Sequence, residues 1–146
     1  MKIKFAFFLL ISFFSTLISA EELVNLSAEQ LISQQKDHNA LVIDIRTEKE
    51  WMATGTIPNS YKLQFFSADG KYDAEKWLSE LNRLKSSADQ PIILVCRSGG
   101  RSGKVGSMLT KQLGMKNIHH LAGGMQLWIK GGNKVNTECP TQFACK

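Results

Sequence analysis

Proline is scarce in this chain, three residues in 146, and so are cysteine and histidine, with three each. That content excludes a collagen, a proline-rich disordered chain and a disulfide-dense miniprotein. Beyond residue 20 no long apolar run occurs, which excludes a multi-span membrane protein. Acidic side chains are missing altogether from residues 1–20. The same stretch holds 14 apolar residues, five of the eight Phe among them, and its only charges are Lys2 and Lys4. A basic start, an apolar run over 5–14 broken only by Ser12, and small Ser19 and Ala20 ahead of Glu21 predict a signal peptide cut after Ala20. Ile18 is bulky for its place before the cut, so a neighbouring bond is an alternative site. The competing reading is an uncleaved anchor, but the run is shorter than the ~20 residues that span a bilayer. The expected plan is therefore a signal peptide over 1–20, one domain over 21–130 and a tail over 131–146, with a periplasmic or secreted location. Cleavage leaves 16 basic and 13 acidic side chains, a net charge of +3. So mild and scattered a surplus points away from nucleic acid as a partner, and the processed chain has no stable membrane span. Its 49 apolar residues suffice for one core.

Strand and helix signals alternate along the processed chain. Ser27 and Gln30 form a capping-box pattern that opens a helix with Leu31 and Ile32 facing inward. Residues 41–45 are β-branched-rich and predict a strand with polar Asp44 near its end. Thr47 caps a short helix over 48–52, and 55–59 carry turn chemistry. A short extended piece is expected over 61–66. The clearest amphipathic helix is 73–85, with Trp77, Leu78, Leu81 and Leu84 on one face. Residues 92–95 are continuously apolar, as in a strand buried on both faces. A helix over 102–113, a strand over 117–121 and a helical turn or two over 125–129 complete the series. This alternation implies an α/β fold: a central, mainly parallel sheet with helices on both faces and right-handed crossovers. Its site belongs beyond the carboxyl ends of the strands.

At the end of the 92–95 strand stand Cys96, Arg97, Ser98, Gly99, Gly100, Arg101 and Ser102, and then a helix begins. Glycines there let several backbone N–H groups turn toward one centre. Those groups, the helix dipole and two arginines all favour an anion, and hence the thiolate form of Cys96. The bland alternative is a buried structural cysteine beside a glycine turn, but seven consecutive residues each fit a task. Two phosphate motifs fail by counting. A P-loop needs four residues between its first Gly and the Gly-Lys pair, whereas Gly99 and Gly103 are separated by three. Cysteine-dependent phosphatase loops have five residues between Cys and Arg, whereas Cys96 and Arg101 have four between them. The shorter loop predicts a cavity matched to a sulfur atom rather than to a phosphoryl group.

The loop resembles the active-site loop of rhodanese-type sulfurtransferases. Three further stretches resemble that family in the same order: Asp44, Ile45 and Arg46 with Glu50 and Trp51; Gly55, Thr56, Ile57 and Pro58; and Leu121, Ala122, Gly123 and Gly124 with Trp128. Two departures stand out: Thr56 replaces the family's histidine, and Asn59 follows Pro58 where the family has glycine. The resemblance implies a rhodanese-like fold and a persulfide carried on Cys96. Its sulfur would come from a small anionic donor such as thiosulfate and pass to cyanide, a thiol or an unknown protein acceptor, with no cofactor and no metal. It makes Cys96 the nucleophile and the N–H groups of residues 97–102 the anion cradle. Arg97 is then the arginine that faces substrate, while Arg101 turns back to a carboxylate. Asp44 pairs with Arg46 or Arg101 as structural support, and Glu50 reads as a solvated helix residue. Adjacent His119 and His120 point to opposite faces of a strand and do not share a metal. Asn25 and Ser27 fit a glycosylation sequon, which has meaning only in a eukaryotic secretory route. Cys139 and Cys145 lie outside the resemblance and read either as a structural disulfide or as a resolving thiol for Cys96. Two other functional readings compete: a non-catalytic binding module of the same fold, and an exported thiol-redox protein.

Overall fold

The computed structural model describes residues 22–137. The expected signal peptide and the tail cysteines Cys139 and Cys145 lie outside these residues. Five strands, β1 (Val24–Leu26), β2 (Leu41–Asp44), β3 (Ser60–Lys62), β4 (Ile92–Val95) and β5 (Ile118–Leu121), form one sheet in the order β1-β5-β4-β2-β3. Every pairing is parallel. Helices α1 (Ala28–His38), α2 (Glu48–Thr54), α3 (Ala74–Leu84), α4 (Gly100–Ser107) and α5 (Gly124–Lys130) alternate with the strands. No helix among the described residues is long and apolar enough to cross a membrane.

Side-chain alternation along the strands builds two cores. Leu41, Ile43, Ile92, Leu94 and Ile118 face Trp77 and Leu81 of α3 and Val105 of α4. Val42, Ile93, Val95 and Leu121 face Leu31 of α1 and Met125 and Trp128 of α5. Cys96 continues the parity of Ile92 and Leu94 and belongs to the first core. The central strands β2 and β4 are buried along their whole length, as a sheet covered on both faces requires.

Local signals hold where their chemistry is strong. Ser27 and Gln30 make the reciprocal capping bonds, 2.8 Å from Ser27 N to Gln30 Oε1 and 3.3 Å from Gln30 N to Ser27 Oγ. Asp73 Oδ1 accepts from Lys76 N at 3.0 Å and opens α3. Four local expectations differ. β1 was not evident in the sequence. Ile32 is 45% exposed, because α1 buries a stripe centred on Leu31. β3 ends at Lys62, though Leu63 N and Phe65 N still bond the carbonyls of Asp44 and Ile45. The expected helix over 102–113 starts earlier, at Gly100, and widens into a π turn over Met108–Gln112. Within that segment the Thr110 hydroxyl bonds back to Gly106 O at 3.1 Å.

Candidate active site

The end of β4 carries Cys96, whose side chain is 1% exposed. Three donors converge on its sulfur: Gly99 N at 3.2 Å, Ser102 N at 3.3 Å and Ser102 Oγ at 3.3 Å. Gly99 adopts φ +90, which aims its N–H back at the sulfur and starts α4. The loop is held from below by the N-terminus of α5. Met125 N donates to Cys96 O and Gln126 N to Arg97 O, both at 2.9 Å. Gly124 sits at φ +55, and a side chain there would enter the space of the Cys96 carbonyl oxygen. The Leu121–Gly124 stretch therefore serves close backbone packing against the loop.

The two loop arginines differ in environment. Arg97 is exposed and lines a groove of about 430 Å³ with Lys49, Ala53, Met125 and Ile129. Arg101 turns back onto α2. Its Nη1 lies 3.0 Å from Glu50 Oε2 and its Nη2 2.5 Å from Glu50 Oε1. Glu50 is thus not the solvated helix residue expected from the sequence. It also accepts from Thr47 N and Thr47 Oγ1, each at 3.1 Å. Burial raises the Glu50 carboxyl and is the largest single influence. The hydrogen bonds from Arg101 and Thr47 and the charge of Arg101 together outweigh it and bring the pKa down to about 2. The signal that points to Glu50 is its place four residues after Arg46 in the aspartate–arginine–glutamate pattern.

Asp44 and Arg46, each 1% exposed, pair with one another. Arg46 Nε and Nη2 approach the carboxylate at 2.7–3.0 Å, and the same guanidinium donates to Thr54 Oγ1 and Gly55 O at 2.7 Å. The pair fastens β2 to the end of α2, and of the two arginines open to Asp44 it is Arg46, not Arg101, that holds it. Ser98 is exposed, and Gly100 has open space where a side chain would project. Thr56, in place of the family's histidine, is fully buried. Its backbone bridges Asn136, with N···O distances of 3.0 and 2.8 Å. It is a buried residue, not a group open to substrate.

His119 and His120 do lie on opposite faces. The His120 ring lies beside Gly103 and Ser102 of α4, its Nδ1 3.3 Å from Ser102 Oγ, and its Nε2 contacts Asn25 Oδ1. Burial lowers the pKa of both imidazoles below the ordinary value. The connection of His120 to the cysteine loop was not evident in the sequence, because Asn25, Ser102 and His120 are brought together only by the sheet order.

Fold and site together define a class: a parallel α/β domain that presents a thiol inside a cradle of donors at a strand's carboxyl end. The chain belongs to the rhodanese-like domain family, whose sequence profile matches residues 27–130. A candidate mitochondrial thiosulfate sulfurtransferase of Schizosaccharomyces pombe is 29% identical over 104 residues, covering 70% of each chain. A tRNA uridine(34) hydroxylase of Prochlorococcus marinus is 33% identical over 112 residues, which span 71% of this chain but only 34% of that protein. Among solved structures, a rhodanese-related protein of Thermoplasma volcanium superposes with a TM-score of 0.58 at 28% identity, over 79% of this chain and 99% of that one.

Proposed function

We propose that this protein is a sulfurtransferase that carries sulfane sulfur on Cys96. The observation that carries this reading is the convergence of Gly99 N, Ser102 N and Ser102 Oγ on one buried sulfur. Donors fixed in advance stabilise negative charge on that sulfur without reorganisation. The Cys96 thiolate attacks the outer sulfur of thiosulfate. A new S–S bond forms, the S–S bond of the donor breaks, and sulfite leaves with the bonding pair. The persulfide then gives its outer sulfur to cyanide or a thiol, and Cys96 returns as thiolate. This is covalent, two-step chemistry. Arg97 and Lys49 beside the groove attract the anionic donor, while Arg101, engaged with Glu50, holds the loop in shape. The first 20 residues, in the same proposal, direct the chain out of the cytoplasm and are removed.

Intact-mass measurement after incubation of the reduced protein with thiosulfate tests the activity. We expect a gain of one sulfur atom, reversed by cyanide and absent in Cys96→Ala. No gain with thiosulfate, polysulfide or any other sulfane donor would favour a binding module of the same fold.

A further inference from the structure

The buried sulfur has a hydrogen-bonded connection to the edge of the sheet. Cys96 is 1% exposed, Ser102 is fully buried and His120 is 8% exposed. Asn25, by contrast, is exposed on β1. Parallel register pairs Asn25 with His120, which sets the two side chains on the same face of the sheet. Ser102 Oγ stands 3.3 Å from Cys96 Sγ and 3.3 Å from His120 Nδ1. On the far side of the ring, His120 Nε2 meets Asn25 Oδ1.

These contacts fix a direction for the hydrogens. Asn25 Oδ1 only accepts, so His120 Nε2 carries a hydrogen and, in the neutral ring, Nδ1 is the acceptor. The Ser102 hydroxyl has one hydrogen and two lone pairs. When that hydrogen goes to Nδ1, a lone pair is left facing Cys96, ready to take the hydrogen of a thiol. Two other acceptors compete for the hydroxyl hydrogen: Gly99 O at 3.2 Å, and the Cys96 sulfur at 3.3 Å, to which Ser102 Oγ donates once the sulfur is a thiolate.

We propose that Ser102, His120 and Asn25 form a relay that takes the proton from the Cys96 thiol. The S–H bond breaks and its proton passes to Ser102 Oγ while the hydroxyl proton of Ser102 passes to His120 Nδ1. The products are a thiolate and an imidazolium whose Nε2–H is held by Asn25, and no electron changes hands. His120 and Asn25 do not touch the reacting sulfur; they act through Ser102 as positioning residues. Burial lowers the imidazole pKa, which keeps the resting ring neutral but disfavours the imidazolium; the thiolate charge formed in the same step offsets that cost. From the elements packed around it, β1 contributes Asn25, the end of β4 contributes Cys96, and α4 contributes Ser102. The nearby cations of α4 are Arg101, bound to Glu50, and Lys104, which is exposed.

The relay rests on Cys96 being the sulfur-carrying thiol, but its test reads the thiol and not sulfur transfer. In the reduced full chain, the rate of Cys96 alkylation by iodoacetamide is followed against pH. For His120→Gln, which keeps hydrogen-bonding capacity but does not titrate, we expect a fall of about tenfold near pH 7, matching a displacement of the profile by about one pH unit upward. Superimposable profiles overturn the proposal. Ring ¹⁵N NMR of the wild-type protein supplies a second test that needs no variant. The Nε2–H tautomer at pH 7, with a ring shift that moves when Cys96 is alkylated, supports the relay; the Nδ1–H tautomer overturns it. Thiosulfate loading of the wild type, measured separately, decides the sulfurtransferase reading whatever the relay result.

Discussion

At the scale of single residues, the loop's charge is divided between a free arginine and a tied one, and Glu50 makes the division. Its two oxygens hold both terminal nitrogens of Arg101, which leaves Arg97 as the exposed cation of the loop. The side chains of Arg101 and Glu50 are 33% and 25% exposed, so solvent screens the pair and its worth is about 1 kcal/mol rather than the value of a buried pair. The pH dependence follows from the sign of the shift. Glu50 titrates at about 2 in the folded protein against an ordinary 4.5, so its stabilisation is complete above the unfolded value and is lost as pH falls through that window. Urea unfolding of Glu50→Gln and wild type should therefore differ at pH 7 and converge as pH falls from about 4.5 to about 2. A gap that stays constant over that range would mean that the charge of Glu50 has no part in stability. Sequence alone suggested that Arg101 turns to a carboxylate, but not which one. Asp44 was open to either Arg46 or Arg101, and Arg46 takes it through local bonds two residues away. Glu50 reaches the loop only because α2 packs across the strand ends, a relation of 51 residues in sequence.

At the scale of elements, the cysteine loop takes its shape from the start of α5. Its carbonyls accept from Met125 N and Gln126 N, and the approach is close enough that Gly124 has no room for a side chain. Gly124→Ala combines a left-handed backbone position with overlap against the Cys96 and Arg97 carbonyl groups, a cost of about 2–4 kcal/mol. Thermal unfolding should show that loss, and the folded fraction should load less sulfur from thiosulfate, since the donors at Cys96 are displaced with the loop. An unchanged melting temperature would contradict the packing argument. The elements most legible in the sequence are those specified by their own residues. The apolar 92–95 run, the Trp77–Leu81 face of α3 and the Ser27–Gln30 capping box needed no distant partner to be read. β1 was not legible because three residues, two of them exposed, make no periodic pattern. It is a strand only through its pairing with β5. The π turn over Met108–Gln112 was equally hidden, since its residues suit an ordinary helix and its widening shows only in the backbone bonding.

At the scale of the molecule, one sheet serves two cores. β2 and β4 give Leu41, Ile43, Ile92 and Leu94 to one face and Val42, Ile93 and Val95 to the other. Neither core has a separate backbone, so loss of either face removes the surface on which the other packs. The alternation of strands and helices made this architecture readable from the sequence. The strand order was not readable, because nothing local says that β5 lies between β1 and β4. That order brings Asn25 beside His120 and so makes the surface route to the sulfur. The shared sheet also dictates how the molecule unfolds. Trp77 reports from the core against α3 and is 4% exposed, while Trp128 reports from the core against α5 and is 3% exposed. Trp77 also donates to Leu63 O at 3.1 Å and Trp128 to Lys134 O at 2.8 Å, so replacing either by Phe removes a bond and some volume, at about 1–3 kcal/mol. Trp51 is a third, buried tryptophan; with Trp51→Phe added to each variant, the fluorescence of the one tryptophan left and far-ultraviolet circular dichroism should trace one denaturant transition with one midpoint, as cooperative two-state unfolding requires. A fluorescence transition that precedes loss of the sheet in the variant retaining Trp128 would show that the α5 face opens independently. The α5 start holds the cysteine loop, so such an opening would release the active-site cradle before the fold is lost.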